Sequence, residues 1–259
     1  MKIINLSIFV VIAPLLLPAQ KHDNTWLYGK KNENSLVKIT KIDFSSGAPT
    51  FIPTEFEGTF IAFSGSMSDD DGELLFYTNN CHIYDASGKI MLNGDTLNSP
   101  PTSYWMDFCT GFNPSFRQAH AAFALPQPES GHKYYLFHIN AGRWDEPPSI
   151  IGLNYSVIDM DTPDHLGKVV TKDQNLLYNG LYEVAAAVRH GNGRDWWIVA
   201  PNAKTSSPIL YRFLLTPNGI QGPFEQQNVF QVIDSAFYGG AQILLFTPDG
   251  SKLIQYHYY

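Results

Sequence analysis

Cysteine, charge and catalytic signatures are all scarce in this chain, and each shortage narrows what it does. Of 259 residues two are cysteine, Cys81 and Cys109. A thiolate metal site would therefore need His or carboxylate partners, and only His82 sits close. Charged residues make up 16% of the chain, low for a soluble domain. The formal charge is −7 and Lys and Arg form no cluster, which argues against a nucleic-acid backbone as partner. G-x-S-x-G, a Walker loop and H-E-x-x-H are missing, and with them the commonest hydrolase and nucleotide signatures. Nothing in the sequence calls for a cofactor. After the first twenty residues no apolar run is long enough to span a bilayer.

Those first twenty residues have the layout of a signal peptide. Lys2 supplies the positive start, Ile8 to Leu17 the apolar core, and Leu17-Pro18-Ala19 a cleavage site. No Cys follows, which argues against a lipid anchor. Residues 21–259 are then the exported domain, secreted or held at the cell surface. In an oxidising compartment Cys81 and Cys109 are expected to pair, closing a loop that stabilises the fold by roughly 3–4 kcal/mol in the chain-entropy model. Two free thiols, or a metal held with His82, are the alternatives.

What is abundant is turn chemistry and aromatic residues: Gly 20, Pro 17, Tyr 14 and Phe 17. This balance fits an all-β protein. The clearest stretch, Glu183 to Phe224, divides into four antiparallel strands: Val184 to Val188, Trp196 to Ala200, Ile209 to Leu215, and a fourth from Ile220. Gly191-Asn192-Gly193 and Thr216-Pro217-Asn218-Gly219 are their turns. A similar unit runs from Gln118 to Val170. Another begins with Thr59 to Met67 and continues through Glu73 to Thr78, His82 to Asp85 and Lys89 to Leu92. An N-terminal hairpin (Trp26 to Gly29, Leu36 to Phe44, Thr50 to Pro53) precedes them without an inner partner. A last pair of strands, Ala241 to Phe246 and Leu253 to Tyr259, follows.

Gly72, Gly131, Gly193 and Gly250 fall in register about 60 residues apart, and a repeat of this period with four strands per unit points to propeller blades rather than a sandwich. Strands converging on an axis also need small side chains. The first strands carry Ala62, Gly65, Ala119, Ala121, Ala122, Ala185, Ala186, Ala187, Gly240 and Ala241. The expectation is an all-β fold, a β-propeller of four-stranded antiparallel blades. The ring is expected to be incomplete, about three full blades plus two half-blades, with the C-terminal blades missing. Leu253 to Tyr259 would then be an unprotected, aggregation-prone edge.

KYYLFHI (Lys133 to Ile139), YSVIDM (Tyr155 to Met160), LGKV (Leu166 to Val169), RHGNGRDWWIV (Arg189 to Val199), YRFLLTPNGIQGP (Tyr211 to Pro223) and FTPDGSKL (Phe246 to Leu253) occur as a set. As a combination, they resemble the N-terminal propeller region of large secreted Bacteroidetes proteins, which usually carry a C-terminal sorting domain for type IX secretion. The likeness covers most of Trp26 to Tyr259. It implies a cell-surface or released propeller with no established catalysis. The sequence up to Tyr259 does not include the later blades or the sorting domain.

Strand order sorts the loops onto two ends. Turns between first and second strands, and between third and fourth, are short. The loops at the other end are long: Asn98 to Phe116, Asn140 to Ile151, Asn202 to Pro208 and Gln231 to Tyr238. Long loops of this kind mark a functional face. They hold Tyr104, Trp105, Phe108, Phe112, Trp144 and Phe237, an aromatic platform for a glycan or protein ligand with Trp105 and Trp144 as anchors. The plainer alternative is that these rings pack the loops onto the sheets.

Asp69, Asp70 and Asp71 lack the spacing of an EF-hand loop and fit a turn. His120, His138 and His190 sit in separate units, and structural roles are expected for them. Asn154-Tyr155-Ser156 matches a glycosylation pattern without bearing on a bacterial protein. The enzyme alternative is a propeller glycoside hydrolase using Glu183, which opens a first strand. The corresponding positions are Gln118 and Gln242, and one carboxylate cannot serve as both acid and base. SDDDGELLF also lacks the Thr-Trp of a sialidase-type Asp box. No metal site is expected.

Overall fold

The structure is a computed structural model that describes residues 22–30, 39–60, 65–98, 109, 122–141, 151–177, 185–201, 209–227 and 242–257. The elements are strands, arranged in small open sheets whose strand pairs are all antiparallel. The first sheet holds β1 (Thr25–Lys30), β2 (Ile39–Asp43), β3 (Thr50–Thr54) and β4 (Thr59–Phe60), in the order β3-β2-β1-β4. The second is three-stranded: β5 (Gly65–Ser68), β6 (Leu74–Thr78) and β7 (Ile83–Asp85). The third contains β8 (Ala122–Pro126), β9 (Lys133–Ala141), β10 (Ile151–Asp159) and β11 (Lys168–Leu177). The fourth contains β12 (Ala186–Arg189), β13 (Trp196–Pro201), β14 (Ile209–Thr216) and β15 (Gly219–Gln227), and the fifth β16 (Gln242–Phe246) and β17 (Leu253–His257).

The turns that join first to second strands are closed alike, over loops of slightly different length. Backbone N–H groups of Asp69, Gln127, His190 and Thr247 donate to the carbonyls of Glu73, Lys133, Asp195 and Lys252. The four glycines that align in the sequence all take positive φ there, from 69° at Gly250 to 93° at Gly72, where a Cβ would be strained. Asp69 adds an Asx turn, its carboxylate accepting from the amides of Asp71 and Glu73 at 2.9 Å.

Two strand assignments are corrected. Residues 59–67, expected as one first strand of the second sheet, serve two sheets. β4 pairs with β1 through Gly29↔Phe60 and Lys30↔Thr59, so the N-terminal hairpin does have an inner partner. The Ser66 hydroxyl donates to the Thr25 carbonyl and the Ser68 amide to that of His22, so the segment follows β1 and satisfies its edge before β5 turns to β6. Lys89 to Leu92, expected as a fourth strand, lies along β7, with the Tyr84↔Ile90 bridge and the Asp85 and Met91 amides donating to the Lys89 and Ile83 carbonyls, but it forms no regular strand. Leu92 then bridges to Lys168, and Asn93 Nδ2 donates to the Val169 carbonyl, so the end of this segment joins the third sheet.

The sheets bury their faces in sequence order. Leu27 and Ile39 of the first pack on Leu74, Tyr77 and Tyr84 of the second. Met67, Phe76 and Ile83 pack on Tyr134, Leu136 and Ile158 of the third. Phe137 and Leu153 pack on Ile198 and Phe213 of the fourth, and Ala186, Val199 and Leu210 on Leu244 of the fifth. Cys81 and Cys109 form a disulfide with Cα atoms 5.5 Å apart, the expected pairing.

Candidate functional site

First strands approach one another closely. A Cβ added to Gly65 on β5 would lie 3.2 Å from the Ala122 carbonyl oxygen on β8, and the turn glycine Gly250 comes close to β12, where an added Cβ would lie 2.8 Å from Val188 Cγ2. The small residues of these strands therefore answer to a steric demand. β8, β12 and β16 each end the strand order of their sheet, and together they line a groove of about 820 Å³. Phe123, Leu125, Leu245 and Phe246 give it an apolar wall, with Ala122, Ala124 and Ala185 to Ala187 between them.

At one mouth the Arg189 guanidinium lies over the Trp196 ring, 4.1 Å from its centroid, a cation–π contact. A smaller cavity of about 330 Å³ shares these two residues and is lined by the short turns, with His22, Asp70, Glu129, Lys133 and Arg194. Arg194 bonds Asp195 at 2.7 Å and Glu129 at 3.0 Å, and these carboxylates hold its pKa above the ordinary value. His22 lies 3.5 Å from Asp70. Charges of both signs are thus matched at this mouth, so it carries no excess for a strongly ionic ligand.

Among the described residues the groove's carboxylate is Asp249. Hydrogen bonds from Thr247 and Ser251 hold its pKa at about 2, so it stays ionised and cannot deliver a proton at neutral pH.

A second polar constellation lies inside the molecule. His138 on β9 is wholly buried. Its Nδ1 is 2.7 Å from Asn98 Oδ1, and its Nε2 3.1 Å from Ser156 Oγ. That Oγ accepts from the Asp173 amide, and the Asp173 carboxylate accepts from the Asn98 amide. A Ser–His–Asn order of this kind looks like a nucleophile with its base, but Ser156 and His138 expose no surface. Burial pushes the His138 pKa down to about 3, leaving a weak base without substrate access. The cluster clamps the 79–98 segment to the third sheet. Asn98 Nδ2 donates to the carbonyls of Asn80 and Ile139, and Asn79 Oδ1 accepts from Cys81 N, beside the disulfide.

Tyr104, Trp105, Phe108, Phe112, Trp144, Glu183 and Phe237 lie outside the described residues, so the aromatic platform and the proposed acid are neither brought together nor separated. The same holds for His120 and Gln118. Among the described residues no three His, Cys, Asp or Glu side chains cluster as metal ligands, and no helix is long and apolar enough to cross a membrane. Trp196, Phe123 and Arg189 escape sequence reasoning because alternation marks them as ordinary strand positions. Arg189 and Trp196 are cross-strand partners within the fourth sheet, and Phe123 joins them along the groove only when the third sheet meets the fourth. No family model, curated protein or solved structure matches this chain.

Proposed function

We propose that the chain is an exported, non-catalytic binding or scaffold module, secreted or at the cell surface, whose sheets are blades of an incomplete β-propeller. Support for the blades comes from three features: turns closed alike, face-to-face packing in sequence order, and close approach of small-residue first strands. The observation that carries the binding reading is the groove itself. Three sheet edges border it, its wall is apolar and its mouth is aromatic and charge-balanced. Such a concave, apolar, partly polar surface fits ligand capture, and Asp249, its one carboxylate among the described residues and ionised at neutral pH, does not by itself fit acid–base hydrolysis.

A glycan array and a peptide array, run beside a chromogenic glycoside panel, test this. Binding without turnover, weakened about tenfold or more by Trp196→Ala with the fold intact by circular dichroism, is the expected result. Turnover that disappears in Glu183→Gln would replace the binding reading with the hydrolase.

A further inference from the structure

β12 ends the strand order of the fourth sheet, with β13 as its one strand partner, and it borders the groove. Among the described residues Ala186, Ala187 and Val188 make no backbone hydrogen bond on the side away from β13. An edge strand presents the N–H and C=O groups of alternate residues, and alanine side chains leave room for a second backbone beside them. The rings along the groove are already engaged by the protein. Phe123 stacks on Phe137 with centroids 5.2 Å apart, Trp196 packs on the core between the third and fourth sheets and lies under Arg189, and Phe246 packs against the core between the fourth and fifth. No bare indole face is therefore offered to a sugar ring. Among the described residues the groove's polar side chains are Arg189, Thr247, Asp249 and the Trp196 indole N–H, too few to pair the hydroxyls of a glycan. Asp249 is exposed and ionised, accepts only from Thr247 and Ser251, and has no cation beside it among the described residues.

We infer that the ligand of this groove is an extended peptide: its backbone pairs with the open edge of β12 as an added strand, its apolar side chains lie on the walls formed by Phe123, Leu125, Leu245 and Phe246, and a Lys or Arg of the peptide meets the Asp249 carboxylate. The inference rests on the binding reading above and narrows its ligand from glycan or peptide to peptide. Main-chain bonds to a sheet edge supply affinity for many sequences, while walls and charge select among them. The unpaired negative charge at Asp249 complements a basic residue, and the charge-balanced mouth beside Arg189 suits the neutral backbone that follows it.

The whole chain is applied to an array of immobilised peptides and, in parallel, to an array of neutral and acidic glycans. The peptides alternate Val or Leu with Thr and carry Lys, Glu or Ser at either end. The Lys set should be retained, and the Glu set should bind about fivefold more weakly, the scale of one exposed ion pair. Asp249→Asn should erase that difference, and added salt should narrow it. Methylating the backbone nitrogens of the best peptide at alternate positions should weaken binding about tenfold or more in one register and leave the other unchanged, because an added strand bonds through every second residue. The Lys–Glu and methylation comparisons use the unaltered chain, so they stand if Asp249→Asn does not fold. Glycans captured in place of peptides overturn the inference and leave the binding reading standing; capture of neither class overturns both. Peptides bound without a Lys–Glu difference, or equally well in both methylated registers, also overturn it.

Discussion

The imidazole of His138 is wholly buried, and this burial favours its neutral form although the Asp173 carboxylate lies 3.7 Å from Nε2, beyond hydrogen-bond distance. Its folded pKa, about 3, is below the usual value near 6.5. The unfolded chain therefore binds the extra proton between those limits. Stability from this residue is complete above pH 6.5 and is lost as pH falls from there towards 3. His138→Gln removes the titration. The pH slope of unfolding free energy between pH 6.5 and 4.5, measured by urea titration, should then fall by about one proton, roughly 1.4 kcal/mol per pH unit. Equal slopes for the two proteins would mean that His138 is charged in the fold. The sequence marks this residue as structural, since no metal-type spacing surrounds it. Its partners Asn98 and Ser156 are not legible, because they are 40 and 18 positions away: Ser156 reaches it through the β9–β10 pairing, and Asn98 only when its segment packs on the third sheet.

Elements here are held by what their edges and turns allow. After β7 the chain reaches the third sheet, where the Asn98 side-chain amide and the Leu92–Lys168 bridge pin it, and the disulfide ties Cys81, just before β7, to Cys109. Replacing both Cys81 and Cys109 by Ser should lower stability by about 3–4 kcal/mol in the chain-entropy model. Denaturant titrations of the oxidised protein and of the variant would measure it, and coincident curves would refute the role. At β5 the requirement is steric. Gly65→Val would set a branched side chain against the Ala122 carbonyl and Thr78, where overpacking costs about 1–3 kcal/mol. A thermal melt of that variant as stable as the parent would show that the first strands are not in close contact.

The molecule as a whole is a chain of sheets in which each rests on its sequence neighbours, so its stability is close to one-dimensional. The two-stranded fifth sheet, with one face open, should be the first to let go. Amide exchange in β16 and β17 should exceed that in β9 and β10 by on the order of 100-fold. Leu253→Ala should widen the gap without speeding exchange in the third sheet. Uniform protection would mean that the sheets fold as a single unit. Ligand capture also belongs to this scale, since the groove is a surface that no single sheet possesses.

Strand identity, the four turn glycines and the smallness of the first strands are decided by local chemistry, while the pairing of Cys81 with Cys109 follows from their being the two cysteines of the chain. Alternation, positive φ and side-chain volume act within a few residues, so they are visible in the sequence. The partition of residues 59–67 between two sheets, the joining of Leu92 and Asn93 to the third sheet, the Asn98–His138–Ser156 clamp and the groove walled by β8, β12 and β16 are set by tertiary structure alone. Each depends on which edge or face lies opposite when sheets far apart in the chain come together. Sequence spacing carries no information about that distance.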